Sequence, residues 1–192
     1  MKTLSTEISR SMRNLYFVRT LAQLTWAGLV LSENAHTRFT AVLLILYPLW
    51  DVACTLYDLK TSGQEGSSRP SQVLNAVLGS ITVVAMALTV FTQPTYSIAA
   101  FGAWALVAGL LQLASGLSRR RELGGQWPMI LSGAQSTLAG AAFVFGGLSG
   151  KVHAKDLGGY AVFGAIYFLV GGILLSRKLS QTHSVDDGVA MS

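Results

Sequence analysis

The segment "YPLWDVACTLYDLK", residues 47–60, has the apolar composition of a membrane helix, yet it carries two aspartates, Asp51 and Asp58. A charged side chain at the centre of a transmembrane helix costs ~2.5–3.5 kcal/mol on insertion scales. The segment therefore predicts that Asp51 has either a partner of opposite charge or a function that repays its burial. The surrounding chain decides which fold holds it.

The composition of the chain indicates a membrane protein. Of its 192 residues, 51% are hydrophobic and 12% are charged, whereas a soluble domain has about 25% charged residues. Mean hydropathy is +0.48. Six apolar segments are each close to the ~20 residues that cross ~30 Å of hydrocarbon as a helix, and none shows the alternation of a barrel strand. They are residues 14–32, 40–59, 72–92, 96–117, 127–148 and 157–176.

We predict an all-α, polytopic membrane protein with six transmembrane helices in one domain, residues 14–178. A cytoplasmic arm, residues 1–13, precedes this domain, and a flexible cytoplasmic tail, residues 179–192, follows it. Short links between the segments predict antiparallel neighbours. Most lysines and arginines outside the segments fall on the side that holds both termini and the "SRRRE" loop, residues 118–122. The positive-inside rule places that side in the cytoplasm.

The even-numbered segments have similar ends, which suggests an internal repeat. The runs "YPLWDVACTLYDL" (47–59), "WALVAGLLQLASGL" (104–117) and "YFLVGGILLSRKL" (167–179) align, and each begins with an aromatic residue. Those residues are Tyr47, Trp104 and Tyr167. The alignment predicts three repeated helical hairpins.

Glycines recur every seven residues in the last three segments. This spacing keeps them on one face of a helix, and small residues allow membrane helices to approach closely. We therefore predict that helices four to six pack into a tight scaffold. The glycines are Gly102, Gly109 and Gly116 in helix four, Gly133, Gly140 and Gly147 in helix five, and Gly164 and Gly171 in helix six.

The run "FGAWALVAGLLQLASGLSRRRELGGQWPMILSGAQSTLAGAAFVF", residues 101–145, resembles the HdeD-like family of small bacterial membrane proteins. An aromatic residue, a helical glycine, a cytoplasmic arginine, a tryptophan and an "L-x-G" opening recur there in this order. Here they are Trp104, Gly109, Arg119 to Arg121, Trp127 and Leu131–Gly133. In the first hairpin, Thr20 and Val52 stand where the family usually has glycine. The resemblance implies a multi-pass protein of the cell inner membrane and a link to acid resistance, a stress response.

The first hairpin contains a candidate polar cluster. At 1.5 Å per residue, Arg19 lies about 9 Å and Asp51 about 13 Å from the cytoplasmic ends of their helices, so we predict that they pair. Gln23 follows Arg19 by four residues and shares its face. The pair is either a salt bridge that docks helix one on helix two, or part of a cavity in which the carboxylate binds a proton or an ion.

No nucleotide-binding, metalloprotease or hydrolase motif is present in the sequence. We therefore expect a protein that is not an enzyme and that has neither cofactor nor metal site. Basic residues flank the membrane segments, so nucleic acid is not an expected partner. The expected partners are the lipid bilayer and either further copies of the chain, as a homo-oligomer, or other membrane proteins.

Two functions remain open, and an intramembrane enzyme ranks behind both. The first is the non-enzymatic role in envelope or acid-stress tolerance that the resemblance implies. The second is a small transporter or channel that uses Arg19, Gln23 and Asp51. A water-accessible cavity reaching Asp51 favours transport, whereas a dry contact between Arg19 and Asp51 favours a scaffold.

Overall fold

The computed structural model describes residues 2–32, 38–61, 69–123 and 127–190. Within these ranges the chain forms six α-helices and no strand, so the all-α class is confirmed. The helices are α1 (Lys2–Ser32), α2 (Arg38–Thr61), α3 (Arg69–Thr89), α4 (Pro94–Leu123), α5 (Trp127–Leu148) and α6 (Ala154–Ala190). Helix α1 includes most of the predicted arm. Helix α6 has no proline and continues to Ala190, through most of the predicted tail.

The six helices form a closed ring of antiparallel neighbours. Each helix contacts the next along the chain, and α6 returns to contact α1. The most extensive interfaces are those of α4 with α5, α1 with α6, and α2 with α3. The tightest packing therefore joins helices that belong to different predicted hairpins.

Glycines hold α4 and α5 in direct backbone contact. A Cβ atom at Gly109 would lie 2.5 Å from the backbone nitrogen of Thr137, and one at Gly133 would lie 2.6 Å from that of Leu113. Real Cβ atoms do not approach so closely, so only glycine fits. The same interface is continued at Gly102, Gly116, Gly140 and Gly147.

The glycines of α6 pack against α1 rather than against α4 or α5. A Cβ atom at Gly164 would lie 2.9 Å from Gln23 Oε1, and one at Gly171 would lie 3.0 Å from the ring of Tyr16. The sequence predicts one scaffold made from helices four to six. The structure instead has two separate close interfaces, one between α4 and α5 and one between α6 and α1. Glycine spacing identifies the small face of a helix, but it does not identify the neighbour that covers this face.

An aromatic cluster fills the centre of the ring where the even-numbered helices meet. The ring centroid of Tyr47 lies 6.1 Å from that of Trp104 and 6.4 Å from that of Tyr160. Phe101 and Phe143 complete the cluster and pack on Tyr160 at 6.1 and 5.7 Å. We use the name aromatic cluster for these five residues.

The residue of α6 in this cluster is Tyr160, whereas the sequence alignment had paired Tyr167 with Tyr47 and Trp104. The two tyrosines are seven residues apart, which is about two helical turns, so both lie on similar faces. The glycines of α6 also repeat every seven residues, so their spacing does not distinguish an alignment on Tyr160 from one on Tyr167. The structure therefore packs Tyr160, and not Tyr167, against Tyr47.

The outer surface of the bundle is apolar. Large side chains such as Leu88, Leu138 and Phe145 are about three-quarters exposed. Among the described residues, α2 to α6 are long and apolar enough to cross a membrane, judged by length and composition. Helix α1 is also long but is less apolar, because Arg19 and Gln23 lie in its middle.

The glycine contacts between α4 and α5 predict a large effect of a single methyl group. Gly109→Ala should lower the free energy of unfolding by about 1–3 kcal/mol, because the backbones must separate to accept the Cβ atom. Gly28→Ala is the matched control, since nothing lies within 4 Å of a Cβ atom there, and it should be neutral or stabilising. Reversible unfolding in mixed micelles measures both variants. Equal stabilities for the two would contradict the packing described.

Candidate functional site: a polar cavity in the bundle

A cavity of about 120 Å³ lies at the centre of the bundle, and all six helices contribute to its wall. It extends from the aromatic cluster toward the end of the bundle where α1 begins and α6 ends. We call this the basic end, because Arg13, Lys60, Arg69, Arg120 and Arg177 lie there. A volume of this size has room for several water molecules.

The predicted pair of charges forms one part of the cavity wall. Arg19 Nη1 lies 3.3 Å from Asp51 Oδ1. The other carboxylate oxygen, Oδ2, accepts a hydrogen bond of 2.9 Å from Asn75 Nδ2, which also donates to Thr55 Oγ1 at 3.2 Å. Arg19 in addition stacks over the ring of Phe168, 5.1 Å from its centroid. Side chains of α1 and α3 thus contact the Asp51 carboxylate of α2, and a phenylalanine of α6 packs against the arginine.

Both charged side chains reach the cavity instead of being sealed in the packing. Arg19 is 15% exposed and Asp51 is 23% exposed, although both lie within the bundle and line the cavity. A carboxylate that contacts such a space keeps part of its solvation, which lowers the free-energy cost of placing it inside a helical bundle. Arg19 and Asp51 thus each keep some exposed surface beside the cavity.

The space in front of Asp51 exists because its counterparts on the other even-numbered helices are small. Asp51 follows Tyr47 by four residues, Ala108 follows Trp104 by four, and Gly164 follows Tyr160 by four. All three of these positions line the cavity. Gly164 makes room for the side chain of Gln23, since a Cβ atom there would lie 2.9 Å from Gln23 Oε1.

Several buried polar atoms around the cavity have no hydrogen-bond partner. They include two donors and three acceptors, and every one belongs to a residue that lines the cavity. The great majority of buried polar side-chain atoms in proteins have a partner, and each of these five atoms is itself buried behind the cavity surface, so each adds a desolvation cost to the wall. They are Arg19 Nε and Trp104 Nε1, and Gln23 Oε1, Asn75 Oδ1 and Gln135 Oε1.

Hydrogen bonds between helices close the rest of the wall. Ser71 of α3 and Ser115 of α4 have their hydroxyl oxygens 2.6 Å apart. Ser136 of α5 lies 2.9 Å from the hydroxyl of Tyr160 on α6. These bonds use polar side chains to join adjacent helices, so the wall is polar on several sides and not only at the ion pair.

The structure brings Arg19, Gln23 and Asp51 to one cavity, and it adds residues that the sequence analysis did not single out. Asn75 contacts the carboxylate directly, and Trp104 and Gln135 contribute unpartnered atoms. Asn75 lies four residues before Gly79 in α3. The sequence signal that could have identified Asn75 is an amide side chain four residues, about one helical turn, from a glycine.

Asp58 also belongs to the cavity, since it lines the wall and accepts a short hydrogen bond from Gln72. Gln112 donates to the Met129 carbonyl at 3.4 Å. Among the side chains that the structure describes, no three of His, Cys, Asp and Glu come together as a metal site requires.

The fold and the cavity define a polytopic α-helical membrane protein with a polar site inside its bundle. A family model described as a short repeat of unknown function, DUF308, matches residues 71–145, which span α3, α4 and most of α5. That repeat family includes the HdeD-like membrane proteins. Comparison with curated proteins and with solved structures gives no match.

The ion pair predicts a strong coupling between its two members. Asp51→Leu should lower the free energy of unfolding by about 3–5 kcal/mol, because it leaves the Arg19 charge without its partner. The double variant Arg19→Met, Asp51→Leu should recover most of that loss, because neither charge remains. Lys155→Met, at an exposed position, is the control and should have little effect. Additive losses in the double variant would show that the two charges do not interact.

Proposed function

We propose that this chain is a six-span protein of the inner membrane that binds a small polar solute in its cavity and conveys it across the bilayer without changing it covalently. In this proposal it is a small transporter, with three repeated hairpins and with both termini in the cytoplasm. The observation that carries the proposal is a partly exposed ion pair in the wall of a cavity that all six helices line.

The arrangement of α1 supports a sixth span. Its inward face carries Arg19 and Gln23, while Phe17, Val18 and Leu21 on other faces are 38–70% exposed. A helix of this length with lipid-compatible residues outward and polar residues toward a cavity is the usual form of a functional transmembrane helix. Its extensive contact with α6 supports the same placement.

Equivalent positions support three repeated hairpins. Tyr47, Trp104 and Tyr160 meet in the aromatic cluster, and the residues four positions later all line the cavity. The extensive interfaces of the ring also alternate with the less extensive ones, which is the pattern expected from a repeated pair of helices. The positive charge at the basic end supports the cytoplasmic location of the termini.

The shape of the cavity supports a transporter more than an open pore. The aromatic cluster separates the cavity from the end of the bundle where α1 ends and α6 begins. A solute that enters from the basic end meets this cluster after it passes the ion pair. Passage then requires the rings to move, so the aromatic cluster acts as the gate of the proposed pathway.

A second candidate is the non-enzymatic role in envelope or acid-stress tolerance, with a second copy or another membrane protein as partner. The match of residues 71–145 to the repeat family that includes the HdeD-like proteins favours it. The close contact of α4 with α5 would suit a rigid scaffold. This candidate leaves the partly exposed ion pair at the cavity without a use.

Flux into proteoliposomes distinguishes the two candidates. The purified protein should transport at least one solute from a panel of protons, inorganic ions and small neutral molecules. Asp51→Asn should reduce that flux by about tenfold, equivalent to ~1.4 kcal/mol, because the charge that holds Arg19 in place is lost. Asp156→Asn is the matched control, because that carboxylate is exposed at the start of α6, outside the cavity.

The outcome has a clear reading. Flux that is present, lost in Asp51→Asn and kept in Asp156→Asn supports the transporter. If no member of the panel enters faster than it enters protein-free liposomes, the transporter fails and the scaffold becomes the better account.

A further inference from the structure

We propose that a second cavity, at the end of the bundle where α1 ends and α6 begins, binds a single-chain amphiphile with an anionic head, such as a medium-chain fatty acid. This second cavity has a volume of about 480 Å³. It is separate from the polar cavity, because the two share no lining residue. Binding at this site does not depend on transport through the polar cavity.

The second cavity lies on the far side of the aromatic cluster from the ion pair. Leu44 of α2 and Ile98 of α4 line it. They precede Tyr47 and Phe101 of the aromatic cluster by three residues each, so they lie about one turn nearer this end of the bundle. Asp51 follows Tyr47 and lies toward the basic end. The aromatic cluster therefore separates a molecule in the second cavity from the charges of the first.

The wall of the second cavity is apolar apart from Arg38 and Thr40. Val90 and Ile98 are each only 4% exposed, so they belong to its floor. Arg38 and Phe91 are exposed and belong to its rim. A concave and mostly apolar pocket with a small number of polar groups is the usual form of a small-molecule site in proteins.

The charge at the rim selects the head group of the ligand. Arg38 is the charged side chain among the described residues that line the second cavity, and none of those residues is acidic. A guanidinium group pairs with a carboxylate through two parallel hydrogen bonds, whereas it repels a cationic head. A small hydrated anion would leave the apolar floor uncovered, and a hydrocarbon chain covers it. The wall thus fits an anionic head joined to an apolar chain.

The volume of the second cavity favours one chain over two. About 480 Å³ equals roughly sixteen water-sized volumes of ~30 Å³. Decanoate has about twelve non-hydrogen atoms of comparable size, so one molecule fits, whereas a phospholipid with two long chains does not. Arg38 begins α2 at the end of its apolar segment. The head of the ligand would therefore lie near the membrane surface, with its chain directed into the bundle.

Hydrogen bonds hold the wall of the second cavity in place where α3 meets α4. The hydroxyl oxygens of Thr89 and Ser97 are 2.8 Å apart, and the backbone nitrogen of Gln93 donates to the Thr89 carbonyl at 2.7 Å. Val90 and Ile98, which line the cavity, directly follow the two bonded residues. This part of the site is formed before a ligand arrives, which lowers the ordering cost of binding.

Scintillation proximity with tritiated decanoate tests the inference on the purified protein in phosphatidylcholine nanodiscs, with empty nanodiscs as background. Unlabelled decanoate should displace the label, decanol should do so about tenfold more weakly, and decyltrimethylammonium and acetate should not compete. Arg38→Gln should weaken decanoate binding by about three- to tenfold, because the carboxylate loses a charged hydrogen-bond donor. Lys151→Gln is the matched control, because Lys151 is an exposed cation outside the cavity.

Ala154→Trp provides a second variant, which places a large ring at the wall of the second cavity and should abolish saturable binding. Circular dichroism and gel filtration establish that each variant is folded. The inference is overturned if the wild type shows no saturable binding, or if decanol, decyltrimethylammonium or acetate competes as well as decanoate. It is also overturned if either folded variant, Arg38→Gln or Ala154→Trp, binds decanoate like the wild type.

Discussion

The structure depends on the need of one carboxylate, Asp51, for a partner inside a bundle with an apolar exterior. The aspartate side chain is too short to reach the helix end from its position, whereas arginine can extend toward an interface. Arg19 and Asn75 provide the contacts, from α1 on one side and α3 on the other. The ion pair directs the polar face of α1 inward toward α2, while extensive packing against α6 holds α1 in the ring.

The residue four positions after the clustered aromatic residue differs in chemistry between α2, α4 and α6. On α4 and α6 the counterparts of Asp51 are Ala108 and Gly164, which leave space instead of adding charge. The direct contact of α4 with α5 gives that space a rigid wall. The aromatic cluster closes the opposite side of the cavity. Polar side chains of α1 and α2 and small residues of α4 and α6 thus line the same cavity.

Much of the fold could be predicted from the sequence, because hydropathy and glycine spacing are local properties. Six helices, the small faces of α4 and α5, and the contact of Arg19 with Asp51 all follow from counting along the chain. The register of α6 could not be predicted, since Tyr160 and Tyr167 occupy similar faces two turns apart. The contribution of Asn75 and Trp104 could not be predicted either, because it depends on which side chains of the neighbouring helices lie opposite them.

The central claim is that Arg19 and Asp51 contact each other at the edge of a hydrated cavity, and solid-state NMR of the labelled protein in lipid bilayers tests it most directly. The measurement combines a carbon–nitrogen dipolar coupling between the Asp51 carboxylate and the Arg19 guanidinium with magnetisation transfer from water to that carboxylate. The account predicts a resolved coupling for a contact near 3.3 Å and rapid transfer from water. A carboxylate that shows no coupling to Arg19, or that receives magnetisation no faster than buried Phe101, would contradict it.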